Sequence, residues 1–256
     1  GFIMAGAAMA LALTPIVFTR RAQPSLPTGE TVPVTRLFSI APAAAAAAFT
    51  AGLLNSGVLG FMPIWAGSLD PLNAAGGAAL LMAVIYLGSM VTQWPAGIIS
   101  DKMDRRLVIA ALSIMSGCFA LILVVMPNPD LLLAAILVGL WGAASLAYYS
   151  VAVAHAADRS RVEELPAIAS GMLLVWAAGS TLGPIVAGIA YSGPLGPRGL
   201  FLFAAVVSCI LAAGMMWRRR ARKPVSEDER QPFVNLQATS AELAEIEAPE
   251  DELDRV

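Results

Sequence analysis

The chain has 256 residues, of which 58% are hydrophobic and only 13% charged, with a mean hydropathy of +0.74. A soluble domain carries about twice that charged fraction; so few charges could not cover a water-facing surface, and lipid removes the need because the exposed surface is then itself apolar. The 16 basic and 18 acidic residues nearly cancel, to a formal −2, and they are confined between long apolar runs or to the C-terminal tail, so no nucleic-acid partner is expected.

A membrane helix needs about 20 mainly apolar residues. Seven runs approach that length: 2–18, 37–65, 72–96, 107–126, 131–155, 166–192 and 199–217. The first starts at Gly1 with no basic segment or small-residue cleavage site before it, so it does not read as a signal peptide. It reads as a chain that starts partway through a larger protein. Segment 19–36, with Pro24, Pro27, Gly29 and Pro33, is the longest link and reads as a linker between two bundles. Run 37–65 contains Pro42, which predicts a kink or an interfacial first turn. It also carries Asn55 and Ser56 in mid-span, a small-residue face of Gly52, Gly57 and Gly60, and Trp65 in the position of an interfacial aromatic belt.

Links 66–71, 127–130 and 193–198 are rich in turn formers, among them Asp70-Pro71 and Pro127-Asn128-Pro129-Asp130. Cys118 and Cys209 fall inside apolar runs and read as small buried hydrophobes. His155 ends its run beside Asp158 and reads as an interfacial histidine holding the loop, in preference to a proton carrier. Gly179 to Gly183 forms a small-xxx-small pattern for close helix contact, and Trp217 fits the aromatic belt. From about residue 224 the tail is acidic and polar, so disorder is expected, with a short helix near Ser240–Glu247.

Basic residues give the orientation, because cytoplasmic loops are rich in Lys and Arg. One alternate set of links holds Arg20, Arg21 and Arg36, then Lys102, Arg105 and Arg106, then Arg159 and Arg161, then Arg218, Arg219, Arg220, Arg222 and Lys223. The other set holds Arg198 alone. The first set, with the C-terminus, is therefore expected in the cytoplasm. No Asp, Glu, Lys or Arg lies in the middle of a run, so no ion-coupling residue is evident. Nor is there a Ser/His/Asp set, a metal cluster or a phosphate-binding glycine loop. An enzyme is not expected, and neither is a cofactor.

The most informative stretch is Gly97-Ile98-Ile99-Ser100-Asp101-Lys102-Met103-Asp104-Arg105-Arg106. A carboxylate at 101 can cap a neighbouring helix N-terminus, and the basic residues can hold the loop at the membrane surface. The stretch resembles the signature loop of the major facilitator superfamily (MFS), G-x-x-x-D-R/K-x-G-R-R/K. Gly97, Asp101, Lys102, Arg105 and Arg106 match, whereas Asp104 stands where glycine is usual and puts the usual backbone conformation in question. Gln93-Trp94-Pro95, Val153 to Arg159, and Ser170 to Val175 running on to Gly183-Pro184 resemble a bacterial subgroup of the family.

The resemblance implies an all-α membrane protein of twelve helices in two six-helix halves. Residues 1–18 would be helix six, the last of the N-terminal bundle. Segment 19–36 would be the central cytoplasmic loop, 37–217 the C-terminal six-helix bundle, and 218–256 the cytoplasmic tail. Helices one to five would belong to a missing N-terminal half. The chain would sit in a bacterial inner membrane, in contact with membrane lipids, and help carry a small-molecule substrate. Asp101 would act in gating, with Asp158, Arg159 and Arg161 as gating partners. The bland alternative is a positive anchor with an incidental acid. Asn55, Ser56, Gln93, Tyr148, Tyr149 and Trp176 would line the substrate cavity. Interhelical hydrogen bonding and aromatic packing explain each of them equally well. A transporter-derived sensor or scaffold that binds without translocating is the second functional reading.

Overall fold

The computed structural model describes residues 34–126, 128–161 and 164–221, together with Ala7, Ala10 and Leu11. The chain divides into two compact units, Gly1–Glu30 and Thr31–Val256. The expected helix 2–18, most of segment 19–36 and the tail from 222 lie outside the described residues. Ala7, Ala10 and Leu11 are helical.

Among its described residues the second unit is built of helices and short links, with no strand. The elements are α1 (Val34–Ile40), α2 (Pro42–Leu69), a 3-10 turn (Pro71–Asn73), α3 (Ala74–Lys102), α4 (Arg105–Val125), α5 (Leu131–Ser145), α6 (Tyr148–Ala157), α7 (Leu165–Ser192) and α8 (Pro197–Ala221). Taking α5 and α6 as one span and the 3-10 turn with α3, six segments are long and apolar enough to cross a membrane.

Local chemistry sets the ends. Pro42 has no N–H to lose at a first helical position, and it forces Ala41 out of the helical region, to φ −134° and ψ 60°. The expected kink is therefore a break between α1 and α2. Asp70, Asn73 and Asp130 accept from the backbone N–H of Asn73, Gly76 and Leu133, at 3.2, 3.2 and 2.9 Å. Gly196, at φ 56°, turns the chain between α7 and α8. Run 131–155 is interrupted at Leu146 and Ala147, although both keep helical backbone angles.

The core is built on small residues. Ala44, Ala47, Ala48 and Ala51 bury one face of α2 completely. On that helix, a Cβ on Gly52 would run into the Trp176 carbonyl, and one on Gly57 would lie 2.9 Å from the Gly183 carbonyl. Across the crossing, a Cβ on Gly179 or Gly183 would run into the Phe49 or Leu53 carbonyl. The α2 and α7 backbones therefore touch, as small residues allow in a membrane. Gly60 is not part of this contact: nothing lies within 4 Å of its Cβ position. Gly88 and Gly142 let α3 and α5 approach in the same way, against Gly139 and Ile85.

Two expectations are corrected. Trp65 is buried and packs edge-on against Phe201, with centroids 4.7 Å apart, so it is not in an aromatic belt. Cys118 and Cys209 are exposed free thiols on α4 and α8, not buried ones. Trp217 is exposed. Burial is uneven among the spans: only 22% of the apolar window of α3 and 28% of that of α7 is buried, against 50–56% elsewhere. Broad apolar faces, with Met90, Val91, Trp94, Leu174 and Ile189, are thus left unpacked on these two helices.

Candidate functional site

The signature residues do not form a free loop. Helix α3 runs on through Asp101 to Lys102, so the link to α4 is only Met103 and Asp104. Asp104 is extended, at φ −59° and ψ 116°, and its carboxylate accepts the Arg106 backbone N–H at 3.0 Å. It is the N-cap of α4. The residue that departs from the family pattern thus keeps an ordinary backbone and takes the capping role expected of Asp101.

The side chain of Asp104 also holds Arg106, by bonds of 3.1 and 2.9 Å from Nε and Nη2. Burial pushes the Asp104 carboxyl up, but the side-chain and backbone hydrogen bonds from Arg106, with its charge, outweigh that and hold it below the ordinary 3.8. Arg106 Nη1 donates to the Arg218 carbonyl at 3.0 Å, which ties the start of α4 to the last turns of α8. Arg219 adds a looser contact to Asp104 at 3.8 Å.

Arg105 is the hub of the second set. Its Nε and Nη2 donate to the two Asp158 carboxylate oxygens, at 2.7 and 3.2 Å. This fork geometry is what a guanidinium does best. Nη1 donates to Ser100 Oγ at 3.2 Å, and Ser100 in turn donates to the Gly97 carbonyl at 2.8 Å. Asp101 Oδ1 lies 3.3 Å from Nη2. One buried arginine therefore joins the ends of α3, α4 and α6.

The other candidates are placed differently. Lys102 is exposed. Arg161 is exposed, and its backbone N–H donates to Glu164 at 3.4 Å. Glu164 pairs with Arg36 of α1. Arg159 is half-buried and shares a small cleft with His155. His155 does not hold the loop through Asp158: it is buried and makes no hydrogen bond to any described residue. Ser100 was missed as a candidate; its only signal was a hydroxyl three residues after Gly97.

Within the spans, Asn55 Oδ1, Trp176 Nε1 and Ser180 Oγ are buried without hydrogen-bond partners among the described residues. Gly52, one turn from Asn55 on α2, abuts Trp176 and Ser180 of α7. Asn55 and Trp176 thus belong to one helix crossing. Ser56 beside them is half-buried. A second stripe, Trp141, Ser145 and Tyr148, follows i, i+4, i+7 spacing, and each has a buried unpartnered N–H or O–H. Tyr149 is buried beside it. Gln93 on α3 is not brought to the crossing: its Nε2 donates to Ser89 Oγ of its own helix at 2.9 Å. The described residues include no group of three or more His, Cys, Asp or Glu able to hold a metal ion.

Six apolar spans, tied at one end by buried arginine–aspartate pairs, define an integral multi-pass α-helical membrane protein. The chain belongs to the Major Facilitator Superfamily, whose sequence model matches residues 44–246. It is 27% identical over 231 residues to the uncharacterised MFS-type transporter YcaD of Salmonella heidelberg (strain SL476), and likewise to that of Salmonella agona (strain SL483). Each match covers 88% of this chain and 55% of the relative. The chain thus spans about half the length of the curated relatives it matches. These relatives are bacterial, which fits a bacterial inner membrane. No solved structure matches the chain.

Proposed function

We propose that the chain is the C-terminal half of a secondary transporter that moves a small solute across the membrane by alternating access. The relatives' name, MFS-type transporter, and the family membership support transport as the activity. In this reading α2, α3 and α4 are helices seven, eight and nine; α5 with α6 is helix ten; α7 and α8 are eleven and twelve. Residues 1–18 close the N-terminal bundle, 19–36 form the central loop, 37–217 the C-terminal bundle and 218–256 the tail, with the C-terminus cytoplasmic.

The observation that carries the reading is the Arg105 hub. Its bonds to Asp158, Ser100 and Asp101 make the ends of α3, α4 and α6 one stiff unit. Rocking of one half-bundle against another needs such rigid bodies. Asp158 anchors the hub from within. Asp101 is the most open of its members, with its side chain 39% exposed, and it is the group left to meet the opposite half in gating. Arg159 and Arg161 have lesser roles at the same surface. The sparse burial of α3 and α7 supports faces that pack on the N-terminal half or on lipid.

Asn55, Trp176 and Ser180 offer neutral donors and acceptors, and no Asp, Glu, Lys or Arg lies in the middle of an apolar run. They favour an uncharged substrate that hydrogen-bonds, with Ser56, Tyr148 and Tyr149 along the same cavity and Gln93 at its edge. Solute flux into proteoliposomes holding the full-length protein tests the proposal. Flux that Asp101→Asn reduces while the protein stays in the membrane supports it. Binding of a solute without flux would make the protein a sensor or scaffold instead.

A further inference from the structure

Helix α1 has seven residues and ends at the Ala41–Pro42 break, yet the hydrogen-bond thread runs on across it. The Ala41 N–H donates to the Leu37 carbonyl at 2.8 Å, and the Ala45 N–H to the Ala41 carbonyl at 3.1 Å. So short a helix has little stability of its own, and its order comes from what it docks on.

Two adjacent residues dock it at the start of α7. Leu37 is 1% exposed, and its Cδ2 lies 3.5 Å from where a Cβ would stand on Gly171, in the second turn of α7. Arg36 pairs with Glu164, which directly precedes α7 and also accepts the Arg161 N–H at 3.4 Å. The Glu164 side chain is mostly covered and that of Arg36 half exposed, so the arginine reaches down to a fixed acid. Thr35, Phe38 and Ser39 are exposed.

Position gives the contact a use. Ile40 to Ala43 lie beside Arg106 and Arg218, so α1 sits at the Arg105 end of the bundle. The short link from Asp158 to Glu164 carries the hub at its start and the α1 contact at its end. Deeper in the span, the glycine crossing already joins α2 to α7. The chain entering α2 is thus held to α7 twice. We propose that α1 is a strap, with Leu37 as its anchor and Arg36 and Glu164 as positioning residues. It makes the pivot between half-bundles fall ahead of residue 34 and not at the Pro42 break, where a loose strap would absorb the motion. Its effect on transport rests on the alternating-access reading; its docking does not.

Amide hydrogen exchange of α1 in the intact protein, read alongside solute flux in proteoliposomes, tests this. Leu37→Ala should speed exchange over residues 37–41 about tenfold. Arg36→Gln and Glu164→Gln should each speed it about two- to threefold, their double variant no more than either, and Arg36→Lys should keep most of the protection. Phe38→Leu, on an exposed side chain, should change nothing. Flux should fall about threefold or more in Leu37→Ala with the apparent KM unchanged. Wild-type exchange in Leu37→Ala would overturn the docking, and so would simple additivity of the two Gln variants, which decides if Leu37→Ala does not fold. Faster exchange with full flux would overturn the strap's role in transport. An absence of flux in the wild type would instead sink the transporter reading, with exchange still judging the docking.

Discussion

Replacing Asp158 by Asn removes the charge that holds Arg105 and leaves the rest of the hub standing. The Arg105 and Asp158 side chains are 1% and 2% exposed. Breaking such a buried pair from one side costs about 3–5 kcal/mol, because the remaining charge is stranded. Two partners stay with Arg105: Ser100 at 3.2 Å and Asp101 at 3.3 Å. They place the cost near the lower bound, about 3 kcal/mol. Asp101→Asn removes the partner that is 39% exposed, so it costs only about 0–1 kcal/mol. For a unit of this size about 3 kcal/mol lowers the unfolding midpoint by roughly 6–12 °C. Thermal unfolding of the detergent-solubilised protein reads both variants. Adding Arg105→Met to Asp158→Asn should recover part of the loss, since the stranded charge is gone. Equal midpoints for Asp158→Asn and Asp101→Asn would show that Asp158 does not anchor Arg105, as would no recovery in the double variant.

Three further outcomes follow from the same geometry. Gly179→Ala drives a Cβ into the α2 backbone and should destabilise by about 1–3 kcal/mol, whereas Gly60→Ala, with open space, should be neutral or stabilising by up to about 1 kcal/mol; unfolding midpoints compare the two. The folded Asp104 carboxyl lies below its ordinary 3.8, so the stability it adds is whole above that pH and is lost as the pH falls through the lower folded value. The stability gap between wild type and Asp104→Asn should thus stay constant from neutral pH down to about 5 and close only in stronger acid; a gap closing near pH 6 would contradict it. Asn55→Leu in the full-length protein should cut solute flux about three- to tenfold, the value of one hydrogen bond, without lowering the unfolding midpoint, because it removes a buried polar atom that has no partner in the protein.

Much of the fold was legible because lipid simplifies the code. Six apolar runs became six spans, since length and hydropathy alone select a membrane helix. The break at Leu146 and Ala147 was hidden because neither is Pro or Gly and both keep helical angles. Gly179, Gly183, Gly52 and Gly57 announced one helix crossing by their spacing. Gly88, Gly139 and Gly142 made another that spacing along a single helix could not reveal, because half of it lies on a neighbour. The hub was half legible. Arg105 and Asp158 stood among the candidates, but they are 53 residues apart and no periodicity pairs them. Asp104 looked like a disturbance because the family pattern has glycine there. The preference of aspartate for N-caps was the better guide. Trp65 misled because a tryptophan at the end of a run resembles a belt residue until Phe201 is seen to cover it.

Alternating access between the two half-bundles is tested most directly by accessibility at Asn55, on the α2 side of the α2–α7 crossing. A single cysteine at position 55 of the full-length protein, with Cys118 and Cys209 replaced by serine, is exposed in turn to impermeant thiol reagents on each face of oriented vesicles. Labelling from both faces is expected, with the balance shifted by Asp101→Asn. Labelling from one face only, or from neither, would contradict it.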